Sequence, residues 1–482
     1  MPFHWSVWFL LLAYSLVLVV LALRVVMRRR AVGFSLAWLT VIFGLPVFGA
    51  LLYLFMGELR LGGKRARRAY RLHGPFQEWL AELSASDPPA AISPRCVPLA
   101  RLAESAVAIR PLGGNRIELL HDADASFQAL LADIESACRT VHLEFYIWDS
   151  GGRADAVAAA LARAARRGVK CRVLLDDVGS RRFLRGGGAR ELRAAGVELV
   201  AALPAHLPRT FLVRFDLRLH RKIVVIDGEV GYVGSLNVAD PRSFKRNWGV
   251  GPFVDAMVRL HGPVVQALAV NFLEDWELET GDTLDQLRVT GDAHRIPTAG
   301  DAAVHVIPSG PMYQPLSIQE ILLWVIYGAR DELILTTPYY VPDEPLQAAL
   351  IAAARRGVNV TLIVPLNEDS RLVGYASQAY RGDLVAAGVH VLEHRQGLLH
   401  TKSVTVDREV SLFGSLNLDP RSMFLNFEIT LAIYDVAFTE RLRSLQLGYA
   451  AECRPLDLAA WRSRPWPLRL AQNTARLLGP LL

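Results

Sequence analysis

His220-Arg-Lys222-Ile-Val-Val-Ile-Asp227, followed by Gly234-Ser235-Leu-Asn237, returns 180 residues later as His400-Thr-Lys402-Ser-Val-Thr-Val-Asp407 and Gly414-Ser415-Leu-Asn417. With 12 histidines, 5 lysines and 47 acidic residues in 482, a chance His-x-Lys-x4-acid match is expected in about one such chain in a hundred. Two matches with the same internal spacing, each trailed by Gly-Ser-Leu-Asn, mark an internal duplication, which sets the fold expectation before composition does. The flanks repeat too. Val141-His-Leu-Glu-Phe-Tyr-Ile-Trp148 reads as a strand, an Ala-rich helix ends in Ala165-Arg-Arg-Gly-Val169, and Cys171-Arg-Val-Leu-Leu-Asp176 reads as the next strand. Glu332 to Tyr340, a helix ending in Arg355-Arg-Gly-Val358, and Val360 to Pro365 follow the same order. A strand, a helix with glycine near its end and a second strand make a parallel α/β unit.

The motif residues point to phosphodiester chemistry. Arginine fills 48 of the 53 basic positions, yet Lys222 and Lys402 stand in the motifs. A compact ammonium sits against one phosphate oxygen better than a planar guanidinium does. In an extended run His220 and Lys222 share a face, whereas Asp227 has the opposite parity and suits structural support. Ser235 and Asn237, again two apart, are expected to offer a hydroxyl and an amide to the same phosphate oxygens, as are Ser415 and Asn417. One such set binds a phosphodiester, and two facing sets can process it. A neutral imidazole attacks phosphorus to give a phosphohistidine. The other histidine, protonated, donates to the leaving alkoxide and then takes a proton from the incoming alcohol. The candidate catalytic residues are thus His220, Lys222, Asp227, His400, Lys402 and Asp407. No metal and no cofactor are expected, and Gly62-Gly63-Lys64 lacks the spacing of a nucleotide-binding loop.

Composition places this chemistry beside lipid. The chain is 52% hydrophobic and 21% charged, with mean hydropathy +0.25, which excludes a disordered or collagen-like chain. Four scattered cysteines without a CxxC give no disulfide framework and no zinc site. The apolar excess is local: Phe3 to Leu23 and Ala31 to Met56 carry no charge over 21 and 26 positions. Each is long enough to cross a hydrocarbon core of about 30 Å. A cleaved signal peptide does not fit, since no cationic segment comes first and a second apolar run follows at once. The expectation is a transmembrane hairpin over 1–60, with spans at about 3–23 and 31–56, turning at Arg28-Arg29-Arg30. A charged, then Pro/Ala/Ser-rich connector over 61–95 and two domains, 96–295 and 296–482, complete the expected organisation. Arg60, Lys64, Arg65, Arg67, Arg68 and Arg71 outnumber the cations at the turn, which favours a cytoplasmic body. The same cluster beside the membrane attracts anionic headgroups.

The duplicated motif resembles that of the phospholipase D superfamily, and along nearly the whole chain the resemblance is to the membrane-hairpin cardiolipin synthases of bacteria. Matching stretches include Glu144-Phe-Tyr146, Asp176 with Gly179-Ser180, Phe272-Leu-Glu-Asp-Trp276, Thr337-Pro-Tyr-Tyr-Val-Pro-Asp343, Asn417-Leu-Asp-Pro-Arg-Ser422 and Asn426-Phe-Glu428. The resemblance implies two α/β halves forming a pseudo-dimer around one active site. It implies an acid downstream of each motif holding the other ring nitrogen of the motif's histidine, by position Asp255 and Glu428. Gly249-Val-Gly-Pro-Phe-Val-Asp255 departs from the tryptophan-rich approach usual there, and Leu219 replaces a polar residue. It further implies His220 as nucleophile, His400 as general acid, phosphatidylglycerol and membrane lipids as partners, and a multi-pass protein of the bacterial inner membrane. Nucleic acid is not expected as a partner, because a nuclease has no use for a membrane hairpin. A hydrolytic phospholipase D, or a phosphodiesterase or nuclease, using the same site with water is the competing reading.

Outside the motifs, His121, His142, His261, His305 and His394 lack partner spacing and read as core or surface residues. Tyr146, Tyr339 and Tyr340 end strands aimed at the site, with substrate contact and core packing equally open. The C-terminal run from Trp461 mixes aromatic, Arg and Leu residues and suits docking on the body or on a lipid interface.

Overall fold

A computed structural model describes residues 3–28, 32–45, 47–57, 63–204, 216–313, 317–477 and 479. The chain divides into two units, residues 1–66 with 205–217, and residues 67–204 with 218–482. In the first unit Phe3–Met27 is one helix, apolar and long enough over Trp8–Met27 to cross a membrane. The expected second span is instead two shorter helices, Val32–Gly44 and Phe48–Met56. Pro46 lies between them in sequence, and a proline lacks the amide a continuous helix needs there. Val47 turns left-handed at φ 62°, and its amide donates to the Tyr14 hydroxyl at 2.9 Å. At 1.5 Å per residue, the 13 residues of Val32–Gly44 reach about 20 Å, short of a bilayer core. Of the expected turn, Arg29 and Arg30 lie outside the described residues, as does Arg60.

Much of the expected connector is helical, Gly63–Ser84, belonging to the second unit from Arg67 on, with Phe76 and Trp79 buried. His73 on this helix meets Glu274 at 3.0 Å. The body is built on a mixed sheet of sixteen strands among the described residues. The two halves have matching strand orders. Thr140–Phe145, Lys170–Asp176 and Glu198–Ala202 run parallel to one another, as do Glu332–Thr336, Asn359–Pro365 and His390–His394. Helices Arg153–Arg166 and Glu344–Arg355 make the crossovers, each ending before a glycine at positive φ, Gly168 and Gly357. Only these three strands of each half keep the expected parallel pattern, and in the second half Cys453–Pro455 adds an antiparallel edge outside them. The motif strands Lys222–Ile226 and Ser403–Val406 pair antiparallel with Thr140–Phe145 and Glu332–Thr336, then with the strands that follow them. Their connections are tight turns rather than helices, which forces the direction to alternate. The halves join where Leu112–Leu120 pairs antiparallel with Ala302–Ser309, so a single sheet runs through both.

The motif aspartates are bonded into this framework. Asp227, at φ 51°, opens the turn after the first motif strand and accepts the amides of Cys138, Arg139 and Thr140 at 2.7–2.8 Å. Asp407, at φ 50°, accepts those of Arg330, Asp331 and Glu332. Each carboxylate ties the hairpin turn to the start of its neighbouring strand, at the end of the motif strand away from the histidine. Both were expected among the catalytic residues; what their carboxylates hold in this structure is main chain. Replacing Asp227 by Ala removes three charge-assisted bonds and should cost about 2–3 kcal/mol of stability. Activity per folded molecule should stay within about threefold, which thermal unfolding and active-site titration check together.

Candidate active site

Two short cross-half pairings place the histidines. Arg218–Leu219 pairs parallel with Asn426–Phe427, and Leu398–Leu399 pairs parallel with Phe253–Val254. The pairing continues one bond further: His220 N–H donates to Phe427 O at 2.9 Å, and His400 N–H donates to Val254 O at 2.8 Å. The next residue on each partner strand is an acid. His220 Nδ1 therefore meets Glu428 Oε2 at 2.8 Å, and His400 Nδ1 meets Asp255 Oδ1 at 2.6 Å. Each acid serves the histidine of the opposite half.

The Gly-Ser of each motif explains how the acids are held. A Cβ on Gly234 would lie 2.4 Å from Ala256 O, and one on Gly414 would lie 2.2 Å from Ile429 O, so only glycine lets the acid strand approach. The serine that follows is thereby aimed at the carboxylate. Ser235 Oγ donates to Asp255 at 2.6 Å, and Ser415 Oγ donates to Glu428. Both serines are fully buried. Their hydroxyls hold the acids, where contact with phosphate oxygens was expected. Asn237 and Asn417, two residues on, line the cavity.

The cavity holds about 320 Å³ and both histidines are in its wall, with Tyr146, Tyr339, Arg218, Lys245, Asp369 and Arg421. Tyr340 instead turns inward, its hydroxyl donating to Gln347 at 2.6 Å. Lys222 and Lys402 lie behind the histidines, their ammoniums on the His220 and His400 carbonyls. Burial outweighs the pull of Glu428 on Lys222, whose pKa falls to about 8, and that of Asp255 on Lys402, which falls to about 7. Burial also drives His220 down to about 4 against Glu428, and lowers His400 against Asp255. Burial alone would raise both acids, but the histidine beside each, with a lysine adding to it, keeps them ionised below the ordinary carboxylate range. An ionised acceptor on Nδ1 places the proton there and leaves the Nε2 lone pair free.

The two surroundings differ. Glu428 takes a third bond from Asn426 Nδ2 at 3.1 Å, where the first half has Phe253, whose ring lies 5.2 Å from the His400 ring. His220 packs against Tyr146 at 5.1 Å. Arg221, between His220 and Lys222, is fully buried and donates to Glu428 O at 3.1 Å, Asn271 Oδ1 at 3.0 Å, Tyr313 Oη at 3.1 Å and Asp275. Thr401 takes its place in the second copy and bonds Val254 O at 3.2 Å. Sequence reasoning passed over Arg221, Lys245 and Asp369. The signal for Lys245 was its rarity, one of five lysines in an arginine-rich chain. His142 and His305 sit in the core, on Gly291 O and Ile109 O, as expected.

The model for cardiolipin synthase, phospholipase D-like domain, matches residues 130–276 and 322–445, and a phospholipase D-nuclease N-terminal model matches 17–58. The chain is 44% identical over 479 residues to cardiolipin synthase A of Cronobacter sakazakii and 43% identical to that of Escherichia coli O1:K1, with 98% of each chain covered. Among solved structures it resembles phosphatidylserine synthase of Haemophilus influenzae, with TM-score 0.59 and 15% identity over 80% of this chain and 100% of that one. That likeness is one of fold.

The buried groups set a pH profile. kcat/KM should rise as His220 loses its proton near pH 4, begin to fall as His400, whose proton the leaving group needs, loses its own below the ordinary histidine range, and fall further above about pH 7–8 as Lys402 and then Lys222 lose theirs. Stability should move differently. The unfolded lysines hold protons that the folded ones have shed, so these two groups make stability rise from about pH 7 to about 10.4. Initial rates in mixed micelles, set beside denaturant midpoints, separate the two trends.

Proposed function

The chain belongs to the cardiolipin synthase family of phospholipase D-like proteins, and on that premise we propose that phosphatidylglycerol is both its donor and its acceptor. Its activity is that of a phosphatidyltransferase acting on phospholipids, in association with the membrane. In the proposed sequence Nε2 of His220 attacks the donor phosphorus, the N–P bond forms and the P–O bond to the headgroup glycerol breaks. His400 gives its proton to the leaving alkoxide, and glycerol departs. A headgroup hydroxyl of a second phosphatidylglycerol then attacks the phosphorus and passes its proton to His400; the new P–O bond forms as the N–P bond to His220 breaks, and cardiolipin leaves. Lys222 and Lys402, with the amides of Asn237 and Asn417, are assigned to the charge on the equatorial oxygens. One phosphodiester is made for each one broken, so little driving energy is needed and added glycerol should reverse the reaction.

The observation that carries this reading is the crossed pairing of two buried histidines, each on an ionised acid, in the wall of one cavity. A multi-pass arrangement in the bacterial inner membrane with a cytoplasmic body is part of the proposal. The apolar helix Trp8–Met27 and the cations from Lys64 to Arg71 support it.

The His400→Ala protein should release about one glycerol per enzyme and keep label from the donor's phosphorus on His220, whereas His220→Ala should do neither. Asp255→Asn should behave like His400→Ala, and Glu428→Gln like His220→Ala, because each acid serves the opposite half. Losses of about 10²–10⁴ in turnover are expected for each acid. Wild-type protein should give cardiolipin and glycerol one to one. Label found on His400 would reverse the roles, and phosphatidic acid as the main product at every lipid concentration would make the chain a hydrolase.

A further inference from the structure

A third lysine stands at the cavity. Lys245, from the first half, donates to Asp369 of the second half at 2.7 Å, and Tyr339 Oη donates to the other oxygen of Asp369, also at 2.7 Å. All three residues line the cavity that holds the histidines. The ammonium is packed among aromatic rings, 4.3 Å from the Trp248 centroid, 5.4 Å from Phe244 and 6.0 Å from Phe253. The Phe253 ring in turn lies 5.2 Å from His400, so a single side chain separates Lys245 from that histidine. Lys245 also holds the left-handed conformation at φ 51°, which a non-glycine residue adopts at a cost.

Transfer between two anionic lipids needs a second anion site. The donor phosphate occupies the histidines, while the acceptor brings its own phosphodiester and a glycerol with two free hydroxyls, of which one reacts. We propose that Lys245, Asp369 and Tyr339 form the acceptor-headgroup site, the ammonium facing the acceptor's phosphate and the carboxylate accepting its spare hydroxyl. This assignment rests on the lipid-to-lipid transfer proposed above. In the unloaded site the two charges satisfy each other across the halves. A headgroup that carries both an anion and a hydroxyl donor can replace each partner, which water or a simple alcohol cannot. The pair thus favours a glycerol-bearing anionic lipid over water as the acceptor.

The test is the fate of the intermediate. Wild-type protein, Asp369→Asn and Lys245→Met are given phosphatidylglycerol, labelled in its phosphate, in mixed micelles. Two quantities are read: the ratio of cardiolipin to phosphatidic acid, and the label held as phosphohistidine after a denaturing detergent quench at mildly alkaline pH, where the N–P bond survives. Trapped label reports that the fold and donor site persist. The expected result is trapped label in both variants with a cardiolipin to phosphatidic acid ratio at least tenfold below wild type, partly restored by raising the lipid concentration. An unchanged ratio overturns the acceptor site. So does absence of trapped label, which would place the pair in the donor step or in the fold. If wild-type protein itself yields phosphatidic acid alone, lipid-to-lipid transfer fails and this site fails with it. Wild-type cardiolipin with unchanged variants removes the acceptor site only.

Discussion

Two main-chain hydrogen bonds, His220 N–H to Phe427 O and His400 N–H to Val254 O, hold the active site together. They fix the register in which each motif meets the acid strand of the other half. From that register follow the crossed imidazole–carboxylate pairs and the burial of two lysines beside them. Buried charge is tolerated only when compensated. Lys222 and Lys402 face Asp255 and Glu428, and with both imidazoles neutral these four charges cancel. A bound phosphodiester upsets this balance by one negative charge, and the group best placed to answer it is an imidazole. Binding of substrate thereby favours a proton on the histidine that is to act as the acid, although burial alone lowers its pKa.

The duplication does not make the two histidines alike. Arg221 locks the Glu428 carbonyl from behind and Asn426 adds a bond to its carboxylate, whereas Asp255 has neither and His400 packs on Phe253. A transfer that passes a group onto one histidine and a proton through the other needs such a difference. It arises at positions where the copies diverged, Arg against Thr and Phe against Asn, within a framework that stayed the same.

Much of this was legible in the sequence, for physical reasons that can be named. The repeat, the outer α/β units and the pairing of His with Lys follow from local spacing, which a strand or helix preserves. Asp255 and Glu428 were found by position, but their exchange between halves is tertiary and leaves no mark on spacing. Parity puts Ser235 with Asn237, yet the strand ends at Gly234 and the close approach there gives the serine hydroxyl to Asp255. The second apolar run was read as one span because composition averages over Pro46. Lys245 and Asp369 lie 124 residues apart in connecting segments, where periodicity has nothing to say.

The shared acids also bear on how such a chain can change over generations. After an ordinary duplication one copy keeps the duty and the other is free to drift. Here each copy supplies the carboxylate on which the other's histidine depends, and the strands Leu112–Leu120 and Ala302–Ser309 stitch both into one sheet. Neither copy is a spare. A substitution that weakens one half's acid strand is felt first by the nucleophile or acid of its twin, so the halves are held to a common history by each other's chemistry.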